Sequence, residues 1–187
     1  MSQREDLLRG AQECIAEKGY ARTTARDITA ASGANLASIG YYFGSKDALL
    51  HAAVIAAFDE WGTAVEDAMQ DVADDVPLMR LQRFLESYIA SLPARRNTLV
   101  SSIQAMAEAE YAPEVKQEIA SSHDEGRRSL AALVLDVTPD EVTREDLATG
   151  SLVLSLMNGL ALQWFISPDT APSAAELATA IVALVEP

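Results

Sequence analysis

Residues 23–50 read TTARDITAASGANLASIGYYFGSKDALL, from Thr23 to Leu50. Thr24 and Asp27 stand three apart, the spacing of a capping box in which hydroxyl and carboxylate satisfy two orphan N–H groups at a helix start. The short helix behind that cap turns Ala25, Ile28 and Ala31 inward and stops at Gly33. Asn35 caps a third helix through about Tyr42, and Ser45 caps a fourth. Two short helices joined by a turn of small residues (Ala30, Ala31, Gly33, Ala34) are what a helix-turn-helix requires, because the turn must bring the helices close. The second helix of such a unit enters the major groove N-terminus first.

Upstream, Leu7, Leu8, Ala11, Cys14 and Ile15 form one stripe of a first helix from about Arg4 to Lys18, with Gly19 as its C′ residue. Downstream, Leu49, Leu50, Ala53, Val54, Ala57, Phe58 and Trp61 extend the fourth helix. After an acidic break at Asp71–Asp75, Pro77 opens a fifth helix carrying Leu78, Leu81, Leu85, Tyr88 and Leu92, and Pro93 ends it. A sixth helix spans roughly Arg95–Glu110, and Pro113 starts a seventh. Thr143 and Asp146 cap an apolar eighth helix ending near Ile166. Ser173 and Glu176 cap a last one through Glu186. Strand-like alternation is lacking throughout. The predicted fold is all-α, with about nine helices: a three-helix helix-turn-helix head in 1–50 and a helical bundle in 51–187.

Charge locates the nucleic-acid option. The 187 residues carry a net charge of −14. The first fifty hold six basic and six acidic residues, and the other 137 hold 8 basic and 22 acidic. All of the excess acid therefore lies outside the head, and DNA is expected only there. The opening residues Met1–Asp6 are polar and do not read as a secretory leader. The apolar run Leu152–Ile166, interrupted by Ser155, Asn158 and Gln163, reads as too short for a bilayer span, which needs about 20 residues. The lone Cys14 forms no internal disulfide, and no zinc spacing is present. The expectation is a cytoplasmic protein with no cofactor, no metal and no membrane association.

The stretch resembles the tetracycline-repressor (TetR) family. The matching pieces are Thr24-Ala-Arg-Asp27-Ile28-Thr29, Ser32-Gly33-Ala34-Asn35, Ile39-Gly40-Tyr41-Tyr42-Phe43 and Ser45-Lys46-Asp47-Ala48-Leu49. In order and spacing, the match as a whole covers about residues 4–60. The resemblance implies phosphate contacts from Thr24, Lys46, Tyr41 and Tyr42, with Arg26 as a further phosphate candidate on the preceding helix. Asn35, Leu36, Ala37 and Ser38, in the first turn of the recognition helix, would face base edges. Leu36 and Ala37 suit thymine methyl groups. Ile39 and Phe43 read as core. Gly40 departs from the family, which often has a larger side chain there.

Beyond residue 60 the resemblance is one of architecture. It implies a homodimer in which the eighth and ninth helices pair with their copies, with Ala148, Gly150, Ser151, Ala178 and Ala180 permitting close approach. Otherwise the eighth helix runs through the monomer core. A dimer would present two recognition helices about one DNA turn apart, roughly 34–36 Å, to a palindromic operator. A small-molecule effector would release a repressor of this kind from double-stranded DNA. Candidate lining residues are Trp61, Phe84, Tyr88, Gln104, Met106, Met157, Asn158 and Trp164, with Gln104 and Asn158 as amides that need partners if buried. His51 and His123 stand alone. No glycine-rich phosphate loop or nucleophile elbow points to an enzyme. The alternative is a helical interaction protein on the same scaffold without sequence-specific DNA binding.

Overall fold

The computed structural model describes residues 2–67 and 76–185. The acidic break at Asp71–Asp75 and the terminal Glu186 therefore lie outside the described residues. Nine α-helices form among them: α1 Gln3–Lys18, α2 Ala25–Ser32, α3 Leu36–Phe43, α4 Lys46–Asp67, α5 Pro77–Ser91, α6 Arg96–Ala109, α7 Pro113–Leu135, α8 Leu147–Ile166 and α9 Ala174–Val185. Short 3-10 turns fill several of the junctions. The chain is divided into two compact units, one of Met1–Trp61 with Arg95–Ala120, the other of Gly62–Ala94 with Ser121–Pro187.

In the first unit the caps act as the sequence predicts. Thr24 accepts from the Asp27 N–H while Asp27 accepts from the Thr24 N–H at 3.0 Å. Ser2 and Glu5 form a second capping box at α1. Leu7, Ala11, Ile15, Ile28, Ile39, Leu49, Leu50 and Ala53 form one buried core. Gly10 makes the α1–α2 approach possible, since a Cβ there would meet the Ser32 Cβ at 2.9 Å and the Ile28 carbonyl oxygen at 3.1 Å. Gly33 ends α2 at φ +70, the left-handed conformation that costs glycine least. α6 also belongs to this unit: Ala105 joins its core, and the Asn97 amide donates to the Ala16 carbonyl of α1. No local pattern announces that pairing across more than eighty residues.

In the second unit, Leu81, Leu85 and Tyr88 are buried on α5, as their spacing predicts, and Phe84 is buried with them, while Leu78 is only half-buried. Burial pushes the Tyr88 phenol above its ordinary range. Arg80, also buried, pairs with Asp136, which follows α7 at φ +60. Thr143 and Asp146 exchange the expected capping bonds, with three residues of turn before α8 begins. Ser173 and Glu176 cap α9 in the same way.

α8 corrects three expectations. At 20 residues it is long and apolar enough to cross a membrane, the single such helix among the described residues. The shorter Leu152–Ile166 run understated it, because the helix starts five residues earlier. It does not run through a closed core, since only 22% of its apolar window is buried, and Leu152, Leu162 and Ile166 are exposed. Nor is Gly150 free to approach a second chain. A Cβ there would fall inside the van der Waals shell of the Arg127 carbonyl oxygen, so its small size serves the α7–α8 contact within this chain.

Candidate nucleic-acid interface and cavity

Three helix starts, each set by a local hydrogen bond, carry the predicted contact residues other than Tyr41 and Tyr42, which lie in the last turn of α3. Thr24 is exposed at the N-cap of α2, and its hydroxyl donates to Asp27 at 2.7 Å. The Lys18 ammonium donates to the same carboxylate at 2.6 Å. That bond first, and the Thr24 hydroxyl and N–H after it, hold the Asp27 carboxyl well below the usual carboxylate range. Arg26 is exposed on α2.

At the start of α3, the Asn35 side-chain oxygen accepts from the Ser38 N–H at 3.0 Å and from the Ser38 hydroxyl at 3.1 Å. Ser38 is only 6% exposed, so it does not face base edges as expected. The reason is geometric. One residue further on lies the buried Ile39, and Ser38 turns inward with it, its hydroxyl spent on the cap. Leu36 and Tyr41 are 58% and 83% exposed, with Ala37 and Tyr42 exposed as well. The two tyrosine rings meet edge to face at 4.9 Å. Phe43 packs against the core as predicted, with the Arg4 guanidinium 5.1 Å from its ring centroid. Ser45 caps α4 by accepting from the Ala48 N–H at 3.0 Å. Lys46 lies beside it, ion-paired with Asp47 at 2.9 Å. An exposed pair of this kind is weak, so the ammonium can exchange Asp47 for another anion. Sequence reasoning missed the Lys18–Asp27 and Arg4–Phe43 contacts, because neither follows a local spacing rule.

The predicted lining residues are divided between the units. Trp61, Gln104 and Met106 belong to the first. Trp61 is buried against Phe58, with ring centroids 5.5 Å apart, and Met106 is exposed. The Gln104 side-chain oxygen is buried without a hydrogen-bond partner. Phe84, Tyr88, Met157, Asn158 and Trp164 belong to the second unit. Phe84 and Tyr88 stack within its core at 6.4 Å. Asn158 is exposed, so it is not a buried amide in need of partners. A cavity of about 260 Å³ lies in this unit, bounded by Ile89, Leu92, Leu160, Trp164, Pro168, Ala171, Pro172, Ser173 and Glu176. Of the predicted residues, Trp164 alone lines it. The others lie on α4, α5, α6 and α8, whereas this cavity is bordered by the proline-rich turn between α8 and α9.

No group of three or more metal-ligating side chains is found among the described residues. His51 is buried, its ring 5.6 Å from that of Tyr20. His123 is half-buried, and burial, with Arg127 beside it, lowers its pKa.

Comparison with known proteins agrees with this geometry. The family model for bacterial regulatory proteins of the tetR family matches residues 7–53, and that for the C-terminal domain of BetI-type transcriptional repressors matches residues 77–186. No curated protein matches by sequence. Among solved structures, a TetR-family transcriptional regulator from Rhodococcus sp. is 21% identical over 100% of each chain, with a TM-score of 0.72. A transcriptional regulator from Rhodococcus sp. RHA1 is 22% identical over 97% of this chain and 93% of its own, at 0.73. The multidrug binding protein EbrR, solved with proflavin, is 21% identical over 98% of this chain and 100% of its own, at 0.66. The two family matches together take in the helix-turn-helix and most of the helical body, and the chain belongs to the tetR family of bacterial DNA-binding transcriptional regulators.

Proposed function

We propose that this regulator is a cytoplasmic homodimeric repressor that reads a palindromic operator with α3 and is released by a small-molecule effector. The observation that carries the DNA-reading part is the outward face of α3 beside two further capped helix starts. Leu36, Ala37 and Tyr41 are exposed there, and Thr24, Asn35 and Ser45 each hold a cap. N–H groups at helix starts favour phosphate, and a major groove admits a helix. In this reading Thr24, Arg26, Tyr41, Tyr42 and Lys46 contact phosphates. Asn35, Leu36 and Ala37 face bases, and Ser38 holds Asn35 in place. The head occupies residues 1–50, and residues 51–187 serve ligand binding and dimerisation.

The exposed apolar residues of α8 and α9 support the dimer. Leu152, Leu162, Ile166, Leu184 and Val185 are all in solvent in the single chain, and large contiguous apolar patches mark interaction surfaces. The cavity beside Trp164 supports an effector site. Its 260 Å³ lies just under the usual ligand-pocket range of about 300–1,000 Å³. EbrR, a protein of the same fold, was solved with a small molecule bound. A near-complete switch requires the effector to prefer one state by about 10⁴-fold.

Selection of bound duplexes from a random pool, combined with sedimentation of the free protein, tests the proposal. A recovered palindrome and a dimer mass are expected. A folded protein that enriches no sequence would favour the interaction-protein alternative.

A further inference from the structure

We infer that α3 recognises its operator through the C5-methyl groups of thymines, received on an open patch formed by Leu36, Ala37 and Gly40. The inference rests on the DNA-reading function proposed above and names the chemistry by which that face discriminates bases. Hydrogen-bonding readout is nearly absent from α3. None of its eight residues, Leu36–Phe43, is charged. Ser38 is buried, and its hydroxyl donates to Asn35. The Asn35 side-chain oxygen already accepts twice, which leaves only its amide N–H groups for a base edge. Tyr41 and Tyr42 are engaged with phosphates in the reading above, which leaves their hydroxyls unavailable to base edges.

What remains outward is apolar and small. Leu36 is mostly exposed and Ala37 is exposed beside it, and Gly40, four residues after the first and three after the second, lies one turn on from both. Gly40 has ordinary helical φ, and a Cβ built there meets nothing within 4 Å. Glycine weakens a helix interior relative to alanine, so nothing inside the chain accounts for it. Openness alone does not single it out, since Gly62, Gly126 and Gly159 are open too. Its place does, one turn after Leu36 on the face that addresses DNA. A bare stretch of backbone between Leu36 and Tyr41 lets the helix seat more closely on the groove floor. The apolar feature that the major groove presents there is the thymine methyl group.

The test uses the full chain and the operator recovered by pool selection. Each operator thymine is replaced in turn by deoxyuridine, which removes the methyl and keeps the hydrogen-bonding edge, and affinity is read by fluorescence anisotropy. One or two positions per half-site should lose affinity about fourfold, the value of one buried methyl group, and the rest should not change. Gly40→Ala should flatten the loss at those same positions while raising the melting temperature by about 2–4 °C. Half-sites without thymine, a profile insensitive to deoxyuridine, or Gly40→Ala with an unchanged profile would each overturn the inference while leaving the regulator intact. Recovery of no operator at all would overturn the DNA-reading function and this inference with it.

Discussion

Leu36 and Tyr41 on α3, and Leu152 and Ile166 on α8, are all exposed, yet the helices that carry them differ in almost every other respect. α3 is eight residues long, capped by Asn35, and lies within fifty residues whose charges cancel. Its outward face interleaves small side chains with aromatic hydroxyls. α8 is 20 residues long, carries no charge along its length, and exposes large aliphatic groups. The unit that holds it has 5 basic and 16 acidic residues, a net of −11. Polyanionic DNA is repelled by such a body and tolerated by such a head. Exposed apolar surface therefore carries no single meaning. In the function proposed above, its partner is set by the polar groups around it, a grooved polyanion for α3 and a second apolar face for α8.

The largest effect should come from charging the α8 face. Leu152→Glu with Leu162→Glu places four carboxylates on the facing surfaces of the proposed dimer, at positions the single chain leaves in solvent. Sedimentation should show a monomer with unchanged helical circular dichroism. Operator affinity should fall by about 10²-fold or more, because two linked half-site contacts become one. A variant that stays dimeric would break the comparison, since α8 would then need another explanation for its exposed leucines.

Gly150→Ala sharpens the same contrast from the inner side of α8. The added Cβ cannot be placed without parting α7 from α8 at the Arg127 carbonyl. The expected cost is about 3 kcal/mol, at the upper end for overpacking, or a melting temperature lower by about 6–12 °C. An unchanged melting curve would mean that the helices separate freely there. Lys46→Ala belongs to the head and acts on binding alone. It should weaken binding to all DNA sequences alike and lower the slope of log affinity against log salt by about 1. A changed sequence preference with an unchanged slope would remove Lys46 from the phosphate contacts.

Legibility follows the same division. The head was readable because its determinants are local. Thr24 with Asp27, Asn35 with its following helix, and Ser45 each act over three residues, and the stripe Leu7–Ala11–Cys14–Ile15 follows helical period. Ser38 was misplaced because in the first turn of a helix a one-residue step rotates a side chain by about 100°. In the body, the caps of α8 and α9 were readable for the same local reason. The cavity residues were not, because which side chains line a space depends on how helices pack, and Asn158 and Trp164 lie only six positions apart in one helix with different surroundings. The grouping of α6 with the first unit depends on contacts such as Asn97 to Ala16, which only the folded chain brings together.

Acid provides the finest probe of the head. The Asp27 carboxyl is held below its ordinary value of 3.8 by the Lys18 ammonium and then by the Thr24 hydroxyl and N–H, bonds the unfolded chain lacks. A carboxyl whose folded pKa is depressed contributes stability that is complete above the unfolded value and is lost progressively as pH falls from there through the folded value. For Asp27 that loss begins near pH 5 and continues below 3. Asp146 and Glu176 are lowered at the caps of the body by the Thr143 and Ser173 groups, so the wild-type acid sensitivity is shared between the units. Asp27→Asn keeps an amide oxygen at the cap but removes the titrating charge. Its melting temperature at pH 7 should lie below that of the wild type, and between pH 5 and pH 3 the gap should narrow as the wild type loses what the variant never had. A gap of constant width would show that the Lys18–Asp27–Thr24 cluster shapes the start of α2 without its charge contributing. The start of α2 would then be held, like the apolar face of α8, by uncharged contacts alone.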